Sequence, residues 1–161
     1  MKTLKSKNIL IALDYDKTAL IVAQAGFALS IAMEAEVTLL HVMSDPVFYS
    51  SARYATIKCL NEIAEIDPLQ FKKDERLKVV SQHFLDTMKN YLGDSSIQTL
   101  LVEGDFAETI LTKTKDLNID IVVMGSHSHR WIEALILGSA TAKVIQKTSV
   151  PVYIVPTEKH D

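Results

Sequence analysis

The sequence predicts an α/β protein built on a parallel sheet, and two observations carry that expectation. Five short runs rich in Val, Ile and Leu recur along the chain. They are continuous rather than alternating, as strands buried on both faces must be. Between them lie stretches whose apolar residues fall every three or four positions, the period of a helix with one packed side. Strand–helix alternation repeated four times and ending on a strand argues for helices on both faces of the sheet, each crossover right-handed. Composition keeps this to one domain, residues 1–161: the chain has 161 residues, 48% hydrophobic and 23% charged. A chain of that size buries ~70% of its unfolded surface around one core. No linker, internal repeat or low-complexity tract divides it.

The elements follow in order. Ile9–Leu13 is the first strand run. Leu20, Ala23, Phe27 and Ile31 then share a helix face, with Gly26 inside that helix as a close packing contact and Asp16 as its cap. Val37–Val42 is the second strand, and His41 inside it reads as a hydrogen-bonded core histidine. The stretch from Met43 to Leu69 is irregular, bracketed by Pro46 and Pro68, and reads as a long connection with a short helix over Arg53–Glu65. Connections of that length are uncommon unless they act as lids or binding loops. Leu77, Val80, Phe84, Met88 and Tyr91 carry the next helical period, and Gly93 ends it. Ile97–Val102 is the third strand. Asp105 and Glu108 have the spacing of a capping box before the helix of Phe106, Ile110 and Thr114. Ile119–Met124 is the fourth strand. Ala140, Val144 and Ile145 mark a last helix with Ser139 as its N-cap, and Pro151 stops it before the fifth strand, Val150–Val155.

Several functions are excluded at this level. Net charge is −3 and the isoelectric point is about 5.9, so nothing favours a nucleic-acid partner. No apolar run exceeds five residues, which excludes a membrane span. The single Cys59 forms no internal disulfide and shows no neighbours that would activate it. A free thiol without an export signal points to the cytoplasm. No Walker loop, dinucleotide fingerprint, zinc-protease motif or nucleophile elbow is present, and no nucleophile is paired with a base, so no catalytic residue is assigned.

The candidate site comes from the few glycines. Gly104 and Gly125 follow strands, where open α/β sheets bind ligands. Gly125-Ser126-His127-Ser128-His129-Arg130 is a small polar loop, and Gly138-Ser139-Ala140-Thr141 opens the last helix. Two readings fit. One is an ordinary strand–loop–helix connection with a serine cap. The other is an anion site, in which helix amides, the hydroxyls of Ser139 and Thr141, and the charge of Arg130 meet a phosphate. Asp14 ends the first strand at the same sheet edge, as a ribose-binding carboxylate or as a cap. His127 and His129 lack the further ligands a metal needs, so no metal site is assigned.

These residues resemble the universal stress protein family. The family loop reads Gly, two residues, Gly, nine residues, Gly, Ser or Thr, and Gly125, Gly138 and Ser139 match it in place. The resemblance runs nearly the whole chain. Ile9-Leu10-Ile11-Ala12-Leu13-Asp14, Leu39-Leu40-His41-Val42, Val102-Glu103-Gly104, Ile121-Val122-Val123-Met124-Gly125 and Pro151–Pro156 all take part. It implies a Rossmann-like sheet of the adenine nucleotide alpha hydrolase type, in the order 3-2-1-4-5, with ATP or AMP at its carboxyl edge. Adenine would lie between the backbones of Ala12 and Val42, with Asp14 beside it and the ribose. Phosphates would lie on Gly125, Ser128, Gly138, Ser139, Ala140 and Thr141, with Met124, His127 and Arg130 completing the set and Mg²⁺ carried in by the nucleotide. Homodimers, a stress-response role and a further protein partner are implied as well. The expected homodimer contact is the uncharged Val150–Pro156 edge strand. One departure stands out: Ser128 replaces the second loop glycine. Three hypotheses follow. They are an ATP-binding regulator with at most slow hydrolysis, a nucleotide-independent dimeric scaffold, and an adenylyl-transferring enzyme, the last disfavoured because no pyrophosphate loop is present.

Overall fold

The structure, a computed structural model, describes residues 6–15, 18–43, 73–126 and 138–157. Nine elements occur among them. They are β1 (Lys7–Ala12), α1 (Ala19–Met33), β2 (Ala35–Met43), α2 (Lys73–Leu92), β3 (Gln98–Glu103), α3 (Phe106–Asp116), β4 (Ile121–Gly125), α4 (Ser139–Lys147) and β5 (Val152–Val155). All strand pairs are parallel, and the sheet order is 3-2-1-4-5, as the family resemblance implied. The strand order turns back between β1 and β4, so the chain leaves these two neighbours in opposite directions along the sheet.

Alternation within the continuous apolar strands builds two cores. Ile9 and Ile11 of β1 and Leu13 just past it, with Val37, Leu39 and Val123, face α1 and α2, where Val22, Ala23, Phe84, Leu85 and Met88 meet them. Leu10 and Ala12, with Leu40, Val42, Val122 and Met124, face α3 and α4, meeting Ala107, Ile110 and Val144. Register follows from this, since a one-residue slip would carry each set to the wrong face. Ile11, for instance, pairs with Leu39 on one side and Val123 on the other. Among the described residues no helix is long and apolar enough to cross a membrane.

The helices differ from their sequence reading in instructive ways. In α1 the inward residues are Ala19, Val22, Ala23, Gly26 and Ser30, while Ile31 is 65% exposed. The cause is steric: the stripe of small residues lets the helix axis close onto the sheet, which turns Leu20 and Phe27 to the flanks and Ile31 outward. A Cβ on Gly26 would lie 2.6 and 2.8 Å from Ile11 side-chain carbons and 3.2 Å from Val123. Gly26 is therefore the close contact the sequence suggested. The N-cap of α1 is Thr18, not Asp16, which lies outside the described residues. In α2, Phe84 and Met88 are buried as expected, but Tyr91 is exposed, its hydroxyl accepting from Gln24 Nε2 at 3.3 Å. Gly93 ends that helix at φ +74°, a conformation that disfavours any side chain.

Asp105 caps α3 as its spacing predicted, its Oδ1 accepting from the Glu108 amide at 2.9 Å. The cap of α4 is Gly138 rather than Ser139, which becomes the first helical residue. Strand bounds shift by one or two residues. Ile119 stays outside β4 because its amide donates to the Thr114 carbonyl at 2.9 Å. The long connection after Met43, with its expected helix at Arg53–Glu65, falls on 44–72, outside the described residues.

Replacing Gly26 with alanine gains helix propensity worth about 1 kcal/mol but overpacks a closed interface, which costs ~1–3 kcal/mol. We expect Gly26→Ala to lose about 1 kcal/mol net in urea unfolding. Ile11→Val removes the nearest carbon, so the double variant should lose less than the sum of the singles.

Candidate functional site at the carboxyl edge

The carboxyl ends of β1 and β4 meet at a small crevice, with about 10 Å³ of room for a water-sized sphere. Ala12 and Asp14 line it from the end of β1, and Met124 and Gly125 from the end of β4. Thr18 at the N-cap of α1, Ala19 and Val22 of α1, Phe106 of α3 and Thr141 of α4 complete the wall. It lies at the turning point of the strand order, where open parallel sheets leave room for a ligand because successive connections diverge.

Five of the residues singled out from the sequence are thus brought together: Ala12, Asp14, Met124, Gly125 and Thr141. Val42 is buried under the neighbouring end of β2 and pairs with Val102. Gly138, Ser139 and Ala140 form the start of α4. Helix geometry leaves the amides of Ser139, Ala140 and Thr141 without intrahelical acceptors. The Gly138 amide donates to the Ser126 carbonyl at 2.9 Å, so the helix start is tied to the end of β4. Thr141, buried, donates its hydroxyl to the Gly125 carbonyl at 3.2 Å. That bond commits its proton to the backbone. His127, Ser128 and Arg130 lie outside the described residues, as do His129, Trp131 and Cys59.

Sequence reasoning missed several parts of the setting. Ser126 is buried and holds the last segment: its amide donates to the Val155 carbonyl at 2.9 Å, and its Oγ accepts from the Thr157 amide at 3.1 Å. Thr18 carries no sequence signal for the site, and Phe106 only a place in the helical period of its segment. The charged group beside the site was also invisible. Lys143 Nζ lies 3.0 Å from Glu108 Oε1 and 3.5 Å from Asp105 Oδ1, and Lys147 Nζ lies 3.4 Å from Glu108 Oε1. These pairs hold α3 against α4. The Glu108 hydrogen bond, above all, raises the Lys143 pKa, and the Lys143 bond lowers that of Glu108. The Glu108 amide is the main cause that lowers Asp105; burial opposes it, and Lys143 adds to the lowering. Among the described residues no group of three His, Cys, Asp or Glu could hold a metal ion.

The sequence matches the model of the universal stress protein family over residues 5–156. It is 26% identical over 152 residues to universal stress protein MJ0577 of Methanocaldococcus jannaschii, covering 92% of this chain and 94% of that one. The solved structure of MJ0577 superposes with a TM-score of 0.66, spanning 95% of this chain and 97% of that chain. Universal stress protein UspA from Lactobacillus plantarum superposes with a TM-score of 0.67 at 20% identity, covering 95% and 99% of the two chains. A universal stress protein solved in complex with cAMP superposes at 0.63 with 16% identity, covering 95% and 98%.

The Asp105 cap makes a pH prediction. Its carboxyl titrates below the usual aspartate value in the fold, so the ionised form adds stability above that value. The contribution is lost as pH falls through the lowered native pKa. Asp105→Asn keeps an accepting oxygen at the cap but cannot titrate. Wild type should exceed this variant in thermal stability at neutral pH, and the gap should close below about pH 4.

Proposed function

This chain belongs to the universal stress protein family, and from that premise we propose that it binds ATP or AMP in the β1–β4 crevice and acts as a cytoplasmic, dimeric stress-response regulator. The observation that carries the reading is the meeting, at one sheet edge, of the Asp14 carboxylate, the small wall residues Ala12 and Gly125, and the start of α4. The site fits an adenine nucleotide in three ways. Ala12 and Gly125 let a flat base and a phosphate come close to the backbone. Asp14 can accept hydrogen bonds from ribose hydroxyls. The first amides of α4 favour an anion by ~0.3–1 kcal/mol even when exposed. A similar protein has been solved with cAMP, which supports an adenine nucleotide as the ligand class.

In this reading Ala12 and Val42 flank the base and Met124 closes the pocket beneath it. Gly125, Ser128, Gly138, Ser139, Ala140 and Thr141 receive the phosphates, assisted by His127 and Arg130, with Mg²⁺ entering on the nucleotide. Thr141 contributes through its amide, since its hydroxyl proton serves Gly125. The bound nucleotide supplies a signal rather than a reaction. Phosphoryl transfer needs charge neutralisation and an oriented attacking oxygen. Lys143, one turn into α4, is engaged by Glu108 and Asp105 instead of facing the helix start. His127 and His129 are the sole candidate bases, and the sequence places no carboxylate beside them to orient either.

Mass spectrometry of nucleotide released from denatured protein tests the ligand. ATP or AMP should be found, and Gly138→Val should weaken rebinding at least tenfold. Gly138 sits at φ −62° and ψ 154°, a region valine tolerates, so the variant should fold. In single-turnover assays hydrolysis should stay well below ~1 per second; that rate or faster, abolished by His127→Ala/His129→Ala, would replace the binding reading with an enzyme.

The dimer is proposed on β5. This strand ends the sheet, carries no charge from Val150 to Thr157, and leaves Tyr153 45% exposed beside an unpaired edge. An apolar edge of this kind invites pairing with a second copy. Ile154 packs on the inner core, so Tyr153→Lys is the cleaner probe. It should shift sedimentation from dimer towards monomer, and an unchanged dimer would move the interface elsewhere. A dimer that carries no nucleotide would favour the scaffold reading.

A further inference from the structure

His41 is 2% exposed, and its Nδ1 lies 2.8 Å from the Leu13 carbonyl oxygen. A carbonyl only accepts, so Nδ1 carries the proton. The ring is wedged against Phe84, with centroids 5.5 Å apart edge-on, and lies 6.2 Å from Tyr15, which itself sits 4.9 Å from Phe84. Packing of this kind leaves the imidazole one orientation. The bond falls where β1 stops being a strand: the Leu13 amide still donates to the Leu40 carbonyl at 2.8 Å, and the Leu13 carbonyl is met by a side chain from the opposing strand. Leu13 and His41 belong to the face of α1 and α2, whereas Ala12 and Val42 face α3.

The placement gives this bond a consequence beyond packing. Leu13 is covalently flanked by Ala12 and Asp14, and His41 is followed by Val42. All three flanking residues belong to the nucleotide set proposed above. We propose that His41 is a positioning residue for nucleotide binding, clamping from behind the two strand ends between which the base lies. With the Leu13 carbonyl held, the gap between the Ala12 and Val42 backbones is fixed before ligand arrives, and the direction in which Asp14 leaves β1 is fixed with it. Preorganisation of this sort raises affinity because ordering is not left to the moment of binding. The inference rests on the nucleotide reading and deepens it by naming what sets the adenine slot.

The test uses near-isosteric replacements that differ in one donor. Asn places an amide N–H close to where Nδ1 lies; Leu has similar volume and no donor; Met fills the ring's space adaptably and also has none. ATP affinity is measured by isothermal titration calorimetry, with thermal melting in parallel on the full chain. His41→Leu and His41→Met should bind ATP at least tenfold more weakly than wild type. His41→Asn should stay within about threefold, even though its buried amide makes it no more stable than the leucine variant. Binding would then rank opposite to, or independently of, stability, which a purely structural role does not produce. Should wild type bind while the leucine and methionine variants match it, or the asparagine variant bind no better than they do, the positioning role is overturned and the nucleotide site stands. Should wild type itself not bind ATP or AMP, the nucleotide reading falls, and this inference with it. If the leucine variant fails to fold, the comparison of methionine with asparagine decides alone.

Discussion

Strand β1 has no face in water, and much of the molecule is arranged around that constraint. Ile9, Leu10, Ile11 and Leu13 are all fully buried, with helices on both sides and strands at both edges. A buried backbone must find all its hydrogen-bond partners inside the protein. The ladders supply them along the middle of the strand. At its entry, the Asn8 amide donates to Asp120 Oδ2 at 2.8 Å and the Asp120 amide returns a bond to the Asn8 carbonyl at 2.8 Å. At its exit the task passes to His41. The chain can therefore enter and leave the core only at two defined places, and the second of them is the edge where the crevice opens.

That edge is shaped by divergence rather than by excavation. After β1 the chain turns into α1 on one face, while α4 packs on the other face after β4. The gap is lined by small residues such as Ala12, Ala19 and Gly125 together with Val22, Met124 and Phe106. Among the described residues its chemistry is correspondingly plain: the Asp14 carboxylate, the hydroxyls of Thr18 and Thr141, and the first amides of α4. Such a set can grip a polyanionic ligand and orient it. Among the described residues it shows no polarised pair of acid and base, the arrangement through which proton transfer is normally accelerated.

How much of this was legible in the sequence depends on the range over which each signal acts. Strand existence, the Asp105 cap, the Gly93 stop and the tight fit at Gly26 are local or nearly so, and apolar runs and spacing reported them. His41 could be read as a core histidine because a lone polar ring inside an apolar strand has few other fates. The inward face of α1 could not. Leu20, Ala23, Phe27 and Ile31 keep perfect helical spacing, yet the rotation is set by how closely a glycine and alanines let the helix approach, a matter of volume rather than period. The order 3-2-1-4-5 came from family resemblance, since no periodicity encodes which strands are neighbours. The Lys143–Glu108–Asp105 cluster was illegible for the same reason, its members meeting only once α3 and α4 lie side by side.

Two of the helices that border the crevice, α1 and α4, are held by different forces. No charged residue occurs in α1, and it presses small side chains onto Ile11 and Val123, an attachment made of dispersion and excluded water that salt does not weaken. Only part of α4 is fixed in that way, through Val144 and Thr141; the rest of its hold on α3 is the exposed pairing of Lys143 and Lys147 with acids. Exposed pairs contribute ~0–1 kcal/mol each, and screening at physiological salt acts beyond about 8 Å. The β1 side of the crevice is thus held by packing, whereas the helix start on the β4 side is held by the Gly138 and Thr141 bonds to Ser126 and Gly125, with the exposed ion pairs acting further along the helix. The amides that a phosphate would meet belong to that second element.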